Sequence, residues 1–453
     1  MKLLSVLLAL ALLLAPVTVG FAPGDASPAT WDGDRPTLTV DPSADALGAL
    51  FRDPVAQQTE TDGDGTNGSD TTDPTTDSWI NVLAAPSGSA TSVSLDRHHA
   101  DLGPASRIET TRTTASMRTE ATIAHVQAAN SSAERKRRLV AAEAAVRDAE
   151  TRLYERQQEA IDAHARGELS DRELFVELAE ISATAEVLRM RLDALSVLAA
   201  ETSGVTLETE SLAFRLSVYE GPVRSYALET IRGGETPDRI YVETADDVVI
   251  LAAIDDDEYL REVYRGDRWD RNAAGGPDES EQALERTLSA YPRVDERSLS
   301  ADTLGTEGLT RVNVPFEGGR LRTFVSGGDG DVFIEHQRRE LESFSDAHTR
   351  TSTQDGIELI VERTYPGGPV RVTATDLETG DPVSSATVTV AAGGDDSVEV
   401  GSTNGEGQLW ILSPDRPYRT TVVADPRVAW VSEIDPVDPP RIPEPDDGTE
   451  DPS

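Results

Sequence analysis

Asp255, Asp256, Asp257 and Glu258 stand in an unbroken run, and His336 and Glu340 lie four residues apart further along the chain. Carboxylate oxygens with an imidazole are the ligands a divalent cation takes when it activates water, so Asp255, Asp257, Glu258 and His336 outline a cation-dependent hydrolase. An acidic run at the end of an apolar strand is more ordinarily a turn. The pair His336 and Glu340 would share one helix face, yet two ligands without a third do not make a zinc site. His98, His99, His125, His164 and His348 supply no H-E-x-x-H motif, and no G-x-S-x-G elbow occurs. Cysteine is absent, which removes disulfides, thiolate ligands and a thiol nucleophile together. The expectation is therefore no catalytic residue, no cofactor and no committed metal ligand, with the hydrolase as the alternative.

Weaker motifs resolve the same way. Gly63, Gly65 and Gly68 satisfy G-x-G-x-x-G, but no apolar strand precedes them and no helix follows to aim N–H groups at a pyrophosphate. Asp62, Asp64, Thr66 and Asp70 resemble part of a calcium loop, with Asn67 where glycine belongs and Asp73 where the bidentate glutamate belongs. A solvated acidic linker accounts for both. Arg135, Lys136, Arg137 and Arg138 form a dense basic cluster that an anionic lipid or acidic polymer would fit, although Glu134 is placed to pair with Arg138 one helical turn on. Asn67-Gly68-Ser69 and Asn130-Ser131-Ser132 are glycosylation sequons, so Asn67 and Asn130 are candidate modification sites.

Charge narrows the setting further. Acidic residues number 82 against 41 basic ones, a formal net charge of −41, and lysine occurs only at Lys2 and Lys136. Such self-repulsion opposes a compact state in dilute buffer. At about 1 M salt the screening length falls to roughly 3 Å, and hydrated carboxylates then keep the surface soluble. The composition therefore fits a chain adapted to concentrated salt, and duplex nucleic acid is a poor partner because phosphate neutralisation needs a basic face. Lys2 precedes an apolar stretch from Leu3 to Ala15, too short to span a bilayer comfortably, which reads as a secretory leader over 1–26 with cleavage before Ser27, the alternative being an uncleaved anchor. No later stretch has spanning length, so the expected location is outside the cell or on its surface.

The elements follow from periodicity. Thr, Asp, Gly and Pro dominate 27–80, read as a disordered linker, and 81–130 is ambiguous but partly helical. From 131 to 203 two helical seams, Leu139-Val146-Leu153-Ala160 and Leu174-Leu178-Ile181-Ala185-Leu188-Leu192-Leu195, flank Gly167. Ser131 with Glu134 and Ser170 with Glu173 mark the two starts as capping boxes, predicting a long antiparallel hairpin that serves as a rod or lever. Short strands at Ile240, Val248, Arg311–Val314 and Leu321–Val325, with helices at Glu279–Ala290 and His336–Phe344, predict an α+β domain over 204–350. Alternation at Val370, Val372, Ala374, Val388, Val390, Leu409, Ile411 and Val422, with turns at Gly367-Gly368, Gly380-Asp381-Pro382 and Asn404-Gly405, predicts a β-sandwich of about seven strands over 355–425. A disordered acidic tail would occupy 426–453. The fold class is multidomain α+β.

Two resemblances accompany this reading. The stretch A-E-R-K-R-R-L-V from Ala133, R-L-Y-E-R-Q-Q-E-A-I-D-A-H-A-R-G-E-L-S-D from Arg152, D-R-I-Y-V-E-T from Asp238 and Y-L-R-E-V-Y-R-G-D-R-W-D from Tyr259 resembles uncharacterised exported proteins of halophilic archaea. That family implies no activity. T-G-D-P-V-S-S-A-T-V-T-V from Thr379 with S-T-N-G-E-G-Q-L-W-I from Ser402 looks like the carboxypeptidase regulatory-like, transthyretin-like sandwich. No zinc-binding peptidase half accompanies it, so the resemblance implies a spacer or adhesion module. The leading expectation is a non-enzymatic envelope protein that meets a protein or a glycan.

Overall fold

A computed structural model describes residues 79–444, apart from 88, 90–91, 98–100, 234–238, 274–278, 307, 328–329 and 345–347. The leader, most of the linker with Asn67, Gly63, Gly65, Gly68 and the acids around Asp62, the residues His98 and His99, and the final residues 445–453 lie outside the described residues. Strand β1 (Ser92–Arg97) opens the chain, followed by helices α1 (Leu102–Gln127), α2 (Ser132–Ala165), α3 (Asp171–Ala200), α4 (Thr209–Leu216) and α5 (Pro222–Ile231). Then come β2 (Arg239–Ala245), β3 (Val248–Asp255), β4 (Glu258–Arg265), α6 (Glu279–Ala290), α7 (Pro292–Glu296), β5 (Asp302–Thr306), β6 (Leu309–Phe316), β7 (Gly319–Ser326) and β8 (Val332–Glu340). These eight strands form one antiparallel sheet in the order β1-β2-β3-β4-β8-β7-β6-β5.

The helix pair starts where its caps dictate. Ser170 accepts from the Glu173 N–H at 3.4 Å while the Glu173 carboxylate takes the Ser170 N–H at 3.0 Å, a complete capping box. At α2, Ser131 accepts from the Glu134 N–H, but the Glu134 carboxylate reaches Asn130 rather than Ser131. Gly167 takes a φ of 71° between the helices, a left-handed turn that a side chain would strain. The pair is not a free rod. Helix α1 joins it as a third member, and α2, α3 and α5 bury Ile161, Leu174, Phe175, Val223 and Leu228 against Val242, Leu251 and Leu260 of the sheet.

Helix α2 buries a second stripe beside its apolar one. Glu143, Glu150, Gln157 and His164 recur every seven residues and all are buried. Glu143 accepts the Glu208 N–H at 2.7 Å, Glu150 takes the Tyr219 hydroxyl at 2.9 Å and Arg271 at 2.7 Å, and Gln157 accepts from Arg224 at 2.6 Å. The His164 ring is 2.7 Å from both Thr244 Oγ1 and Asp171 Oδ1. A buried polar group costs free energy unless bonded, so a slip of α2 by one residue would orphan all four at once. The seven-residue polar row fixes the register that the apolar seam alone leaves loose.

The opposite face of the sheet packs α6 and α7 through Ala283, Tyr291 and Val294 against Val312, Val314 and Leu321. Beside them the ends of the described chain cross as a clasp. Val82 pairs in parallel with Arg441, its N–H donating to Pro440 at 2.9 Å and its carbonyl accepting from Ile442 at 3.0 Å. Glu335, fully buried, takes the Leu83 N–H at 2.6 Å and the Tyr291 hydroxyl at 2.8 Å, and is ion-paired to Arg261. Glu444 bridges Arg265 and Arg268. Residues 426–444 are therefore not a disordered tail, because Arg427–Ile434 is a strand and the following segment supplies these bonds.

Strands β9 (His348–Gln354), β10 (Ile357–Arg363), β11 (Pro369–Asp376), β12 (Thr387–Ala392), β13 (Val398–Ser402), β14 (Gln408–Leu412), β15 (Tyr418–Ala424) and β16 (Arg427–Ile434) form two four-stranded sheets, β14-β11-β10-β9 and β13-β12-β15-β16. Val361, Val372, Val388 and Val422 alternate inward to fill the space between them. The sandwich thus starts at β9 and ends at β16, wider at both ends than expected. It meets the large sheet through Leu412 and a hydrogen bond from the Tyr259 hydroxyl to the Gly367 carbonyl at 3.0 Å. Glu279–Ala290 is helical as expected, but His336–Phe344 is not: its first five residues complete β8 and Leu341–Ser343 form a single 3-10 turn. Pairing with β4 and β7 on both sides overrides the helical spacing there.

Candidate functional site

Side chains alternate across a strand, so Arg311 and Asn313 of β6, Arg320, Arg322 and Phe324 of β7, and His336, Arg338 and Glu340 of β8 share one face. Register places them in rows. Asn313 pairs with Arg322, Arg322 with His336 and His336 with Glu262; the next row runs Pro315, Arg320, Arg338 and Leu260. The helical layer covers β2 to β4 on this face, but over β6 to β8 it leaves a cavity of about 900 Å³. Arg189 of α3 and the Ser217–Pro222 segment wall it, Arg311, Arg320, Arg322, Arg338 and His336 floor it, and Glu258, Glu317 and Glu340 lie at its edge with Glu220 in the wall.

Some of these charges are spent within the protein. Both Glu220 oxygens hold Arg189, at 2.7 and 2.6 Å, and Arg338 reaches Glu258 at 3.2 Å. Glu262, opposite His336, is committed to Arg224 at 2.5 Å and accepts the Arg224 N–H at 3.3 Å. Its carboxylate lies so close to the chain that a Cβ on Gly221 would fall 1.9 Å from it, so a side chain here would displace the buried Glu262–Arg224 pair. Arg311, Arg320 and Arg322 make no ion pair among the described residues. Arg322 donates instead to the Asn313 amide oxygen at 2.8 Å, and the Arg311 guanidinium lies 5.8 Å from the Phe214 ring centre.

The titration of the floor follows from that imbalance. Burial, then the neighbouring Arg311, Arg320 and Arg338, lowers the Arg322 pKa from its ordinary value. The His336 ring is 6% exposed, packs against Phe324, and has no hydrogen-bond partner at Nδ1. Burial first, and Arg322, Arg224 and Arg338 after it, hold that imidazole well below its usual range. At neutral pH the floor is a neutral imidazole ringed by guanidinium groups.

The acids grouped with His336 on sequence do not converge on it. Asp256, with a φ of 52°, and Asp257 form the two-residue turn of the β3–β4 hairpin, Asp255 facing Glu258 across it. His336 lies opposite Glu262, four residues up β4 from Glu258 and hence about 13 Å along the strand. Among the described residues no three His, Asp or Glu side chains gather as a cation would need. His336 and Glu340 do share a face, but it is a strand face directed at arginines.

Elsewhere, Asn130 is exposed in the turn between α1 and α2. In the basic run, Arg138 bonds Glu134 and the His125 carbonyl and Arg135 pairs with Glu201 at 2.9 Å, while Lys136 and Arg137 make no ion pair among the described residues. Among the described residues no helix is long and apolar enough to cross a membrane. The arginines of the cleft were missed on sequence. Their signal is the period of two in R-x-R at Arg320 and Arg322 and in H-x-R at His336 and Arg338, which a helical reading of 336–344 conceals.

Residues 1–236 match a domain of unknown function, DUF7096, and residues 240–345 match a family of unknown function, DUF7094. Residues 348–430 match an archaeal fibronectin-III type-like domain, so the sandwich is similar to that archaeal module, and the resemblance to carboxypeptidase regulatory-like domains extends only to the sandwich architecture. No curated protein and no solved structure matches the chain.

Proposed function

The chain belongs to the family defined by the domain of unknown function DUF7096, and we propose that it is a non-enzymatic, exported binding protein whose arginine-floored cleft holds an anionic group of an envelope glycan or protein. One observation carries this reading. In a chain of net charge −41, three guanidinium groups without carboxylate partners converge on a single cavity. Acidic residues outnumber basic ones 82 to 41, so leaving these three guanidinium groups unpaired costs stability that an incoming anion returns. In concentrated salt the screening length is a few ångströms, and only direct, bidentate contacts of the kind arginine makes hold an anion there. The fibronectin-like module and the three-helix layer serve as frame and spacer.

The test is titration calorimetry with polygalacturonate as the anionic polymer and dextran as the neutral one, in about 1 M salt where the acidic chain is screened. Polygalacturonate binds and dextran does not. Combined Arg311→Gln, Arg320→Gln and Arg322→Gln substitutions abolish binding while ligand-free stability falls by no more than about 1 kcal/mol, because relief of repulsion among the guanidinium groups offsets the lost Arg322 bond to Asn313. Equal binding by this variant, or no binding of polygalacturonate by the native protein, overturns the reading. Preference for single-stranded DNA over polygalacturonate would reassign the partner.

A further inference from the structure

We propose that His336 is the charge-setting residue of the anion cleft, its imidazole taking up a proton when an anion enters and returning it when the anion leaves. The inference rests on the anion-binding reading above and adds its regulation. The cavity that the ring lines also holds Arg189 and Glu220, which pair with each other, and Arg311, Arg320, Glu258 and Glu317. From β7 comes Arg322, directly opposite in register; from α5 comes Arg224; from its own strand come Arg338 and Glu340; from β4 comes Glu262. Glu262 and Arg224 neutralise each other at 2.5 Å and Glu258 holds Arg338, so the unbalanced charge facing the imidazole is that of Arg322.

An imidazolium in the empty cleft would be a buried positive charge beside the unpaired guanidinium of Arg322. That arrangement keeps the ring neutral, in agreement with the downward shift of its titration. An anion seated among Arg311, Arg320 and Arg322 offsets much of the positive field at the ring. The ring lines the same cavity and Nδ1 carries no bond to the protein, so protonation breaks no existing contact. By linkage, a ligand that raises a group's proton affinity binds more tightly as pH falls, and one linked proton permits at most about a tenfold gain per pH unit.

Inorganic sulfate is the probe, because its charge does not change between about pH 5.5 and 7.5, the range around the imidazole's ordinary pKa. Titration of sulfate into the full chain in two buffers of different ionisation heat counts the protons taken up per anion. The expected count is between zero and one and positive, with affinity rising several-fold from the upper to the lower pH. The His336→Gln variant should bind sulfate with an affinity that no longer depends on pH. Sulfate binding with no proton uptake in the native protein overturns the proposal and leaves the anion reading intact, as does a persistent pH dependence in His336→Gln. Failure to bind sulfate or polygalacturonate at any pH removes both. The proton count in the native protein decides the matter even if the variant does not fold.

Discussion

The two faces of the eight-stranded sheet treat arginine in opposite ways. On the face under α6 and the clasp, Arg261 is buried against Glu335, Arg265 lies between Asp267 and Glu444, and Arg268 shares Glu444. Burial by itself would lower the Arg261 pKa, but Glu335 and the surrounding tyrosine hydroxyls raise it. Arg339, without a carboxylate, lies over the Phe344 ring at 3.6 Å, and burial pushes it down to about 10. On the helix face Arg311, Arg320 and Arg322 share a cavity with no acid to hold them, and Arg322 is lowered. The same residue type is structural where a carboxylate or an aromatic ring covers it and receptive where it lines open space without an ion pair.

The largest effect that would break this contrast is at Glu335. Glu335→Gln leaves Arg261 as an uncompensated buried charge and should cost about 3–5 kcal/mol, read from the shift of the urea midpoint at constant slope. A loss below about 1 kcal/mol would erase the distinction between faces. Glu444→Gln should cost less, about 1 kcal/mol, because its carboxylate is nearly half exposed and Arg265 keeps Asp267. Thermal unfolding at constant salt measures it.

The smallest effect sharpens the helix face. The folded His336 titrates below its unfolded value, so the unfolded chain binds that proton more readily. Stability from this group is complete above about pH 6.5 and is lost as pH falls toward the depressed folded value. The unfolding midpoint of the native protein should fall more steeply between about pH 6.5 and 5.5 than that of His336→Gln, and parallel curves would show that the ring does not sense the guanidinium field.

Periodicity made the helices and the sandwich legible. The seams from Leu139 and Leu174, the Ser170 cap and the helix at Glu279–Ala290 all follow from spacing local enough to read along one chain segment. The polar row Glu143, Glu150, Gln157 and His164 was equally regular, but its meaning depends on Tyr219, Arg224, Arg271 and Thr244, which lie between 67 and 121 residues away. The cleft was hidden for a related reason. Arg320, Arg322, His336 and Arg338 form a surface only once β7 and β8 pair, and H-Q-R-R-E has the composition of a helix until two neighbouring strands claim it. Residues 426–444 looked disordered because Pro, Asp and Glu carry no periodicity, yet their backbone and Glu444 are bound by groups from three other parts of the chain.

The parallel contact of Val82 with Arg441 has a mechanical consequence. The chain enters it from the Trp79 side and leaves toward Glu444 at the other end, so tension between those two points runs along the contact and loads its hydrogen bonds together in shear rather than peeling them one at a time. The Glu444 ion pairs and the Leu83 bonds to Glu335 and Arg261 lie along the same line of force. A protein tethered through both flanks would load this clamp first, with the sheet engaged only through Arg261, Arg265 and Glu335.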